Sequence, residues 1–110
     1  VIKMPNYKLT TKHVNNKRIL KDVTDFVDEI INNFSIMWSS DSQRDAILEV
    51  IDEHLQDMVE QNKIEQWNVV CDRRNNKPSD VQNKMTHLDI TYRQRNCFNI
   101  TELHYLIQEV

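Results

Sequence analysis

From Lys17 to Phe34 the apolar residues fall at Ile19, Leu20, Val23, Phe26, Val27, Ile30, Ile31 and Phe34. Recurrence at three- and four-residue steps makes one stripe of an amphipathic helix. Asn15 or Asn16 can cap its start, and Asn32 and Asn33 help to end it. A short link, Ser35 to Ser40, carries Met37 and Trp38. Ser42-Gln43-Arg44-Asp45 then has the outline of a helix cap with an acid three residues on. The second helix is expected to reach about Asn62, with Ile47, Val50, Ile51, Leu55, Met58 and Val59 inward and His54 in the same stripe. Each helix shows one apolar stripe, so the two pack on a shared surface.

After Lys63-Ile64-Glu65 the period changes to two. Trp67, Val69 and Cys71 alternate with Asn68, Val70 and Asp72, which reads as a strand. Residues 73–80 form a polar connection rich in turn formers. Leu88, Ile90 and Tyr92 define a second strand, Asn96 can turn the chain, and Phe98, Ile100, Leu103, Tyr105 and Ile107 continue as a last strand. The step from Ile100 to Leu103 breaks the alternation and predicts a bulge or slip near Thr101-Glu102. Residues 1–13, with Pro5 and a loose alternation of Met4, Tyr7 and Leu9, read as an extended arm or edge strand. The expected class is α+β: an N-terminal arm over 1–13, then a domain over 14–110 with two amphipathic helices packed on a small mixed or antiparallel sheet.

Composition sharpens this in one respect: the 110 residues include no glycine, where average usage of about 7% predicts about eight. Every phosphate-cradling loop built on glycine is thereby excluded, the P-loop and the dinucleotide fingerprint included. Turns that need positive φ must use Asn or Asp, and twelve Asn are present. The length fits one domain, which at this size buries about 65% of the surface exposed by its unfolded chain. Added stability from neighbouring molecules would be useful to it. No apolar run approaches the roughly 18 residues that span a bilayer, and no secretory signal pattern opens the chain. Two cysteines make no staple framework and fit a reducing compartment.

Charge lies in blocks. Up to Lys21 there are six cations and no acid; from Asp22 to Gln61 there are eleven acids against Arg44 alone; thereafter seven cations meet six acids. A net charge of −3 argues against a general nucleic-acid binder. The acidic block reads as a solvated helical face, or as the complement of the basic arm on a neighbouring copy. In the second case Lys3, Lys8 and Lys12 meet acids such as Asp28, Asp52 and Asp57.

Candidate chemistry is thin. His13, His54, His87 and His104 are scattered and have no HExxH or CxxC companion; His54 and Asp57 stand at i, i+3 on a helix, where a stripe-edge histidine is the simpler reading than a shared metal. Cys71 and Cys97 fall on expected strands and read as buried reduced thiols that approach each other, not as nucleophiles. Paired acids such as Asp28-Glu29 and Asp52-Glu53 belong to outward helix faces. Arg73, Arg74 and Lys77 make a basic loop with a phosphate-binding reading, and Trp67 nearby reads as a core aromatic. No catalytic residue, metal or cofactor is indicated.

The stretch from Trp67 to Asn83, followed by Leu88-Asp89-Ile90, resembles the C-terminal domain of contractile phage tail sheath proteins. There a strand ending in Val-x-Cys-Asp leads to an Asn-Pro-x-Asp-Ile-type turn, an Asn and a further strand; here the matching residues are Val69, Cys71, Asp72, Asn76, Pro78, Asp80 and Asn83. Val14 to Leu20 looks like the family's helix opening, with Arg18 at its arginine. The resemblance covers about residues 14–107. The family's glycines after the second helix and before the second strand are absent, with Lys63 and Lys84 or their neighbours in those places, and Arg93-Gln94-Arg95 stands where a proline is common. Sheath subunits are several times longer, so the chain is expected to be an excised C-terminal piece or a minimal relative, and an initial Val favours a trimmed chain.

The resemblance implies a structural virion protein without catalytic activity or cofactor. Neighbouring copies would add strands from extended arms to each other's sheets, in a helical or ring assembly around a tail tube. Arm residues Lys3, Tyr7, Lys8, Leu9 and Lys12 would lie at the subunit interface, and residues 98–110 would form a receiving or donated edge. Partners would be further copies, the tube, and baseplate or neck proteins, in a virion tail assembled in the host cytoplasm. No membrane partner is expected. Alternatives are a baseplate or neck cap of the same fold, whose family Glu-Pro-Arg core is missing here, and a small regulatory module using Arg73, Arg74 and Lys77 on phosphate or nucleic acid.

Overall fold

The computed structural model describes residues 6–33, 41–72, 74–83 and 85–108. Among these the order is β1 (Asn6–Lys12), α1 (Lys17–Asn33), α2 (Asp41–Glu60), β2 (Ile64–Val70), α3 (Pro78–Gln82), β3 (Met85–Gln94) and β4 (Ile100–Gln108). The strands form one antiparallel sheet in the order β1-β4-β3-β2. The fold is α+β; within the stretch expected as an arm, residues 6–12 form an edge strand on the chain's own β4. Lys3, Phe34, the link Ser35–Ser40 with Met37 and Trp38, Arg73 and Lys84 lie outside the described residues.

The helix stripes form the core as their spacing requires. Val23, Val27, Ile30 and Ile31 of α1 and Ile47, Ile51, Leu55 and Met58 of α2 join Leu88, Ile90, Tyr92, Leu103, Tyr105 and Ile107 of the sheet in one buried cluster. Asn16 Oδ1 accepts from Arg18 N at 2.8 Å and caps α1. α2 closes on a Schellman turn in which Lys63 N donates to Met58 O at 2.9 Å and Asn62 N to Val59 O at 3.0 Å. Asn62 takes the left-handed position at φ 61°, where glycine is usual, and Asn96 does the same between β3 and β4 at φ 64°. His13, a residue type not anticipated for this task, has φ 57°.

Several expectations need correction. α2 starts at Asp41, ahead of the expected start at Ser42. Val50 is 38% exposed, and Leu48 packs on the core instead. The β3–β4 register runs unbroken from Met85↔Gln108 to Arg93↔Ile100, so there is no bulge at Thr101-Glu102. Thr101 occupies the inward position, and its hydroxyl donates to His13 O at 2.8 Å, which satisfies a polar group at a core site. Ile100 and Phe98 consequently face solvent, and the irregularity falls between Ile64 and Gln66 of β2. Cys71 is buried just past β2 and Cys97 sits in the β3–β4 turn, so neither is on a strand, and both are free thiols. The polar connection contains the short helix α3, with Pro78 in first position and Lys77 N donating to Asp80 Oδ2 at 3.0 Å.

Candidate functional site

The sheet has two margins, β1 and β2, and the residues singled out by sequence fall largely on them. Along β1, seven residues pair with β4, from Asn6↔Gln108 to Lys12↔Glu102. Alternation sends Tyr7 and Leu9 against the core, while Lys8 and Lys12 are exposed on the helix-free face. The Tyr7 hydroxyl donates to Asp28 Oδ1 on α1, and its ring lies 5.7 Å from that of Tyr105. That hydrogen bond to a carboxylate, with burial and the carboxylate charge, pushes the Tyr7 phenol up to about 12. Residues 13–16 connect β1 to α1. They are tied down by Thr101 through His13 O and by Asn15 Nδ2 donating to Asn99 O at 3.5 Å.

The acids expected to receive a neighbour's lysines differ among themselves. Asp28 is engaged within the chain by Tyr7 and by Asn32 Nδ2 at 3.4 Å. Asp52 is half-buried, and burial raises its carboxyl; Asp57 is exposed. His54 stacks on Phe26 with centroids 3.8 Å apart, and burial lowers its pKa against the opposing pull of Asp57 and Asp22.

At the other margin the sheath-like motif has a clear structural use. The β2–β3 ladder ends at Val70↔Asp89, and the Asn76 carboxamide then takes the place of the next backbone unit. His87 N donates to Asn76 Oδ1 at 2.6 Å, and Asn76 Nδ2 donates back to His87 O at 3.0 Å. Asn76 is itself only 3% exposed. Asn75 Nδ2 reaches Val70 O at 2.8 Å and Asp89 Oδ2 at 3.0 Å. Asp72 receives Arg74 N at 2.8 Å and Arg74 Nη2 at 2.8 Å, which holds its carboxyl below the usual range. Burial pushes the Cys71 thiol up to about 12, so it stays protonated and unreactive at neutral pH. Val69 packs on the core, Asp80 caps α3 and stands 3.6 Å from His87 Nε2, and Asn83 O accepts from Gln108 Nε2 at 3.1 Å. Arg18 is exposed at the start of α1.

One polar group on the helix-free face was not foreseen. His104 lies between Asp89, 2.8 Å from Nδ1, and Glu102, 3.3 Å from Nε2. Each ring nitrogen thus faces a carboxylate oxygen. The signal was the outward phase of both strands, but pairing Asp89 with His104 requires the register.

No protein-family model matches the chain, and no curated protein or solved structure matches it. Among the described residues no helix is long and apolar enough to cross a membrane. Among the described strands β1 is an edge strand bonded to β4 alone.

Proposed function

We propose that the chain is a structural assembly module of a contractile tail, a sheath subunit or sheath-like protein that joins copies of itself by exchanging β1 around a tail tube. The observation that carries the reading is β1 itself. It is an edge strand, bonded along one side to β4 and joined to α1 by residues 13–16. The same ladder forms whether β1 comes from its own chain or from a neighbour, so exchange needs only the hinge at 13–16 to open. A head-to-tail exchange generates rings if its rotation closes and a helical filament if it does not. The sheath-like motif supports the reading by fixing the opposite margin.

The phosphate-binding alternative is weakened because Arg74 is engaged by Asp72. No observation favours a baseplate or neck cap over a repeating subunit.

Electron microscopy of the purified chain beside a copy lacking residues 1–13 tests the proposal. Filaments, rings or tubes that vanish on truncation support it, and monomers in both samples overturn arm-mediated assembly. Charge reversal of Lys3, Lys8 and Lys12 is expected to weaken assembly at low salt; unchanged assembly removes the proposed contacts with acidic helices.

A further inference from the structure

Four large apolar side chains are exposed among the described residues, Val14, Val50, Phe98 and Ile100, and three of them stand at one end of the molecule. Phe98, 99% exposed, projects from the β3–β4 turn, and Ile100 opens β4 just beyond it. Val14 lies in the link from β1 to α1, which is tied to the same turn by Asn15 Nδ2 donating to Asn99 O at 3.5 Å. The turn is braced: Cys97 N donates to Gln94 O at 3.2 Å, Asn96 N to Glu65 Oε1 at 3.3 Å, and Arg95 N to Lys63 O at 3.5 Å. Phe98 is thus held in water by hydrogen-bonded backbone.

The same end carries the exposed cations Lys12, Lys17, Arg18, Lys21 and Arg95. None of the five side chains has a hydrogen bond or ion pair among the described residues. Asp22, Glu65 and Glu102 border them but are already engaged, by Lys63 at 3.3 Å, Arg93 at 2.9 Å and His104 at 3.3 Å. These acids therefore leave the five cations uncompensated. Lys17, Arg18 and Lys21 also crowd the start of α1, where the peptide dipole favours acids and the first turn has none. That placement costs helix stability, and a negative surface outside the chain relieves it.

We propose that this end docks on an anionic lipid bilayer, with Phe98, Ile100 and Val14 entering the interface and the five cations facing the headgroups. Charge complementarity selects a negative occupant, and the apolar trio selects among negative occupants. An acidic protein or a nucleic-acid backbone accounts for the cations alone, whereas a bilayer surface also takes up the apolar side chains that share their end of the fold. Lysine and arginine stems lie along the apolar boundary while their charges stay with the phosphates. Such a contact is peripheral and needs no membrane-spanning segment. The surface is complete in one chain, so it goes beyond the assembly reading and stands or fails without it.

Co-sedimentation of the full chain with vesicles tests it, using phosphatidylcholine alone and phosphatidylcholine with about one-third phosphatidylserine. At about 50 mM salt, binding is expected to the anionic vesicles only, and it falls severalfold at about 500 mM. Phe98→Ser is expected to weaken it about tenfold, by removing the ring that enters the interface. Lys17→Glu combined with Arg18→Glu is expected to weaken it by about tenfold or more. All three positions are exposed, and acids at the start of α1 suit its dipole, so both variants keep the fold. No binding to anionic vesicles overturns the proposal. So does binding indifferent to Phe98→Ser and matched by a single-stranded DNA oligonucleotide, which marks a patch for polyanions in general.

Discussion

The two margins of the sheet are built on opposite plans. β2 is welded in: a Schellman turn joins it to α2, Trp67 Nε1 reaches Gln56 on that helix at 3.4 Å, and Asn76 extends its ladder after the strand has ended. β1 touches one strand, and its link to a helix runs through the single hydroxyl of Tyr7 among the hydrogen bonds described. The pairing chemistry is the same on both sides. What differs is how many independent elements must let go before a strand is free, and by that measure β1 opens as a unit while β2 opens only with the domain.

The sharpest break in this comparison is Asn76→Ala. It strands the His87 backbone N–H in a part-buried setting, while His87 O keeps Asn75 Nδ2 at 3.1 Å, for an expected loss on the order of 2 kcal/mol of global stability. Urea unfolding measures it, and a loss below about 1 kcal/mol would mean that the β2 margin does not depend on the amide.

Tyr7→Phe comes next, at about 1 kcal/mol, because it removes one partly exposed hydrogen bond to a carboxylate. The loss is local: hydrogen exchange at β1 and at the β4 amides facing it accelerates, while the urea midpoint barely moves. A midpoint shift equal to the exchange effect would show that β1 opens only with the whole fold. The same residue sets a pH window. The ordered strand keeps its phenolic proton to about 12, whereas a released tyrosine gives it up near 10. The contribution is therefore full below pH 10 and is lost as pH rises through about 12. Difference measurements against Tyr7→Phe isolate this step from that of the buried Tyr92 and Tyr105, whose hydroxyls are also raised by burial.

The smallest effect is at His54. Its pKa is lowered in the fold, so the unfolded chain takes up the proton more readily, and stability present above pH 6.5 declines as pH falls below it. In His54→Leu thermal melts this acid-side decline flattens; an unchanged slope would place its origin elsewhere.

Local patterns carried the helices and the inward phase of β3, because 3.6- and two-residue periods are written residue by residue. Contacts between distant residues were not legible. Thr101 can fill a core position because His13, 88 residues earlier, accepts its hydroxyl. The expected bulge arose from reading that threonine as polar and therefore outward. Asn76 was visible as a turn former and as part of a sheath-like pattern, but its part in extending the ladder depends on where β3 passes. α3, only five residues long, is too short for any periodic signal. Asn62 and Asn96 show the reverse case: without glycine, the positions left for positive φ narrow to a few residue types.

The strand order has a consequence in time. β1 and β4 lie side by side in space but stand at opposite ends of the described chain. The ribosome adds about 90 residues between the last of β1 and the first of β4, which at about 5–20 residues per second takes roughly 4–18 s. Throughout that interval a nascent β1 has no partner of its own, while completed molecules nearby offer β4 whenever their own β1 opens. The choice between self and neighbour is therefore a race between elongation and encounter, set by the local density of finished chains.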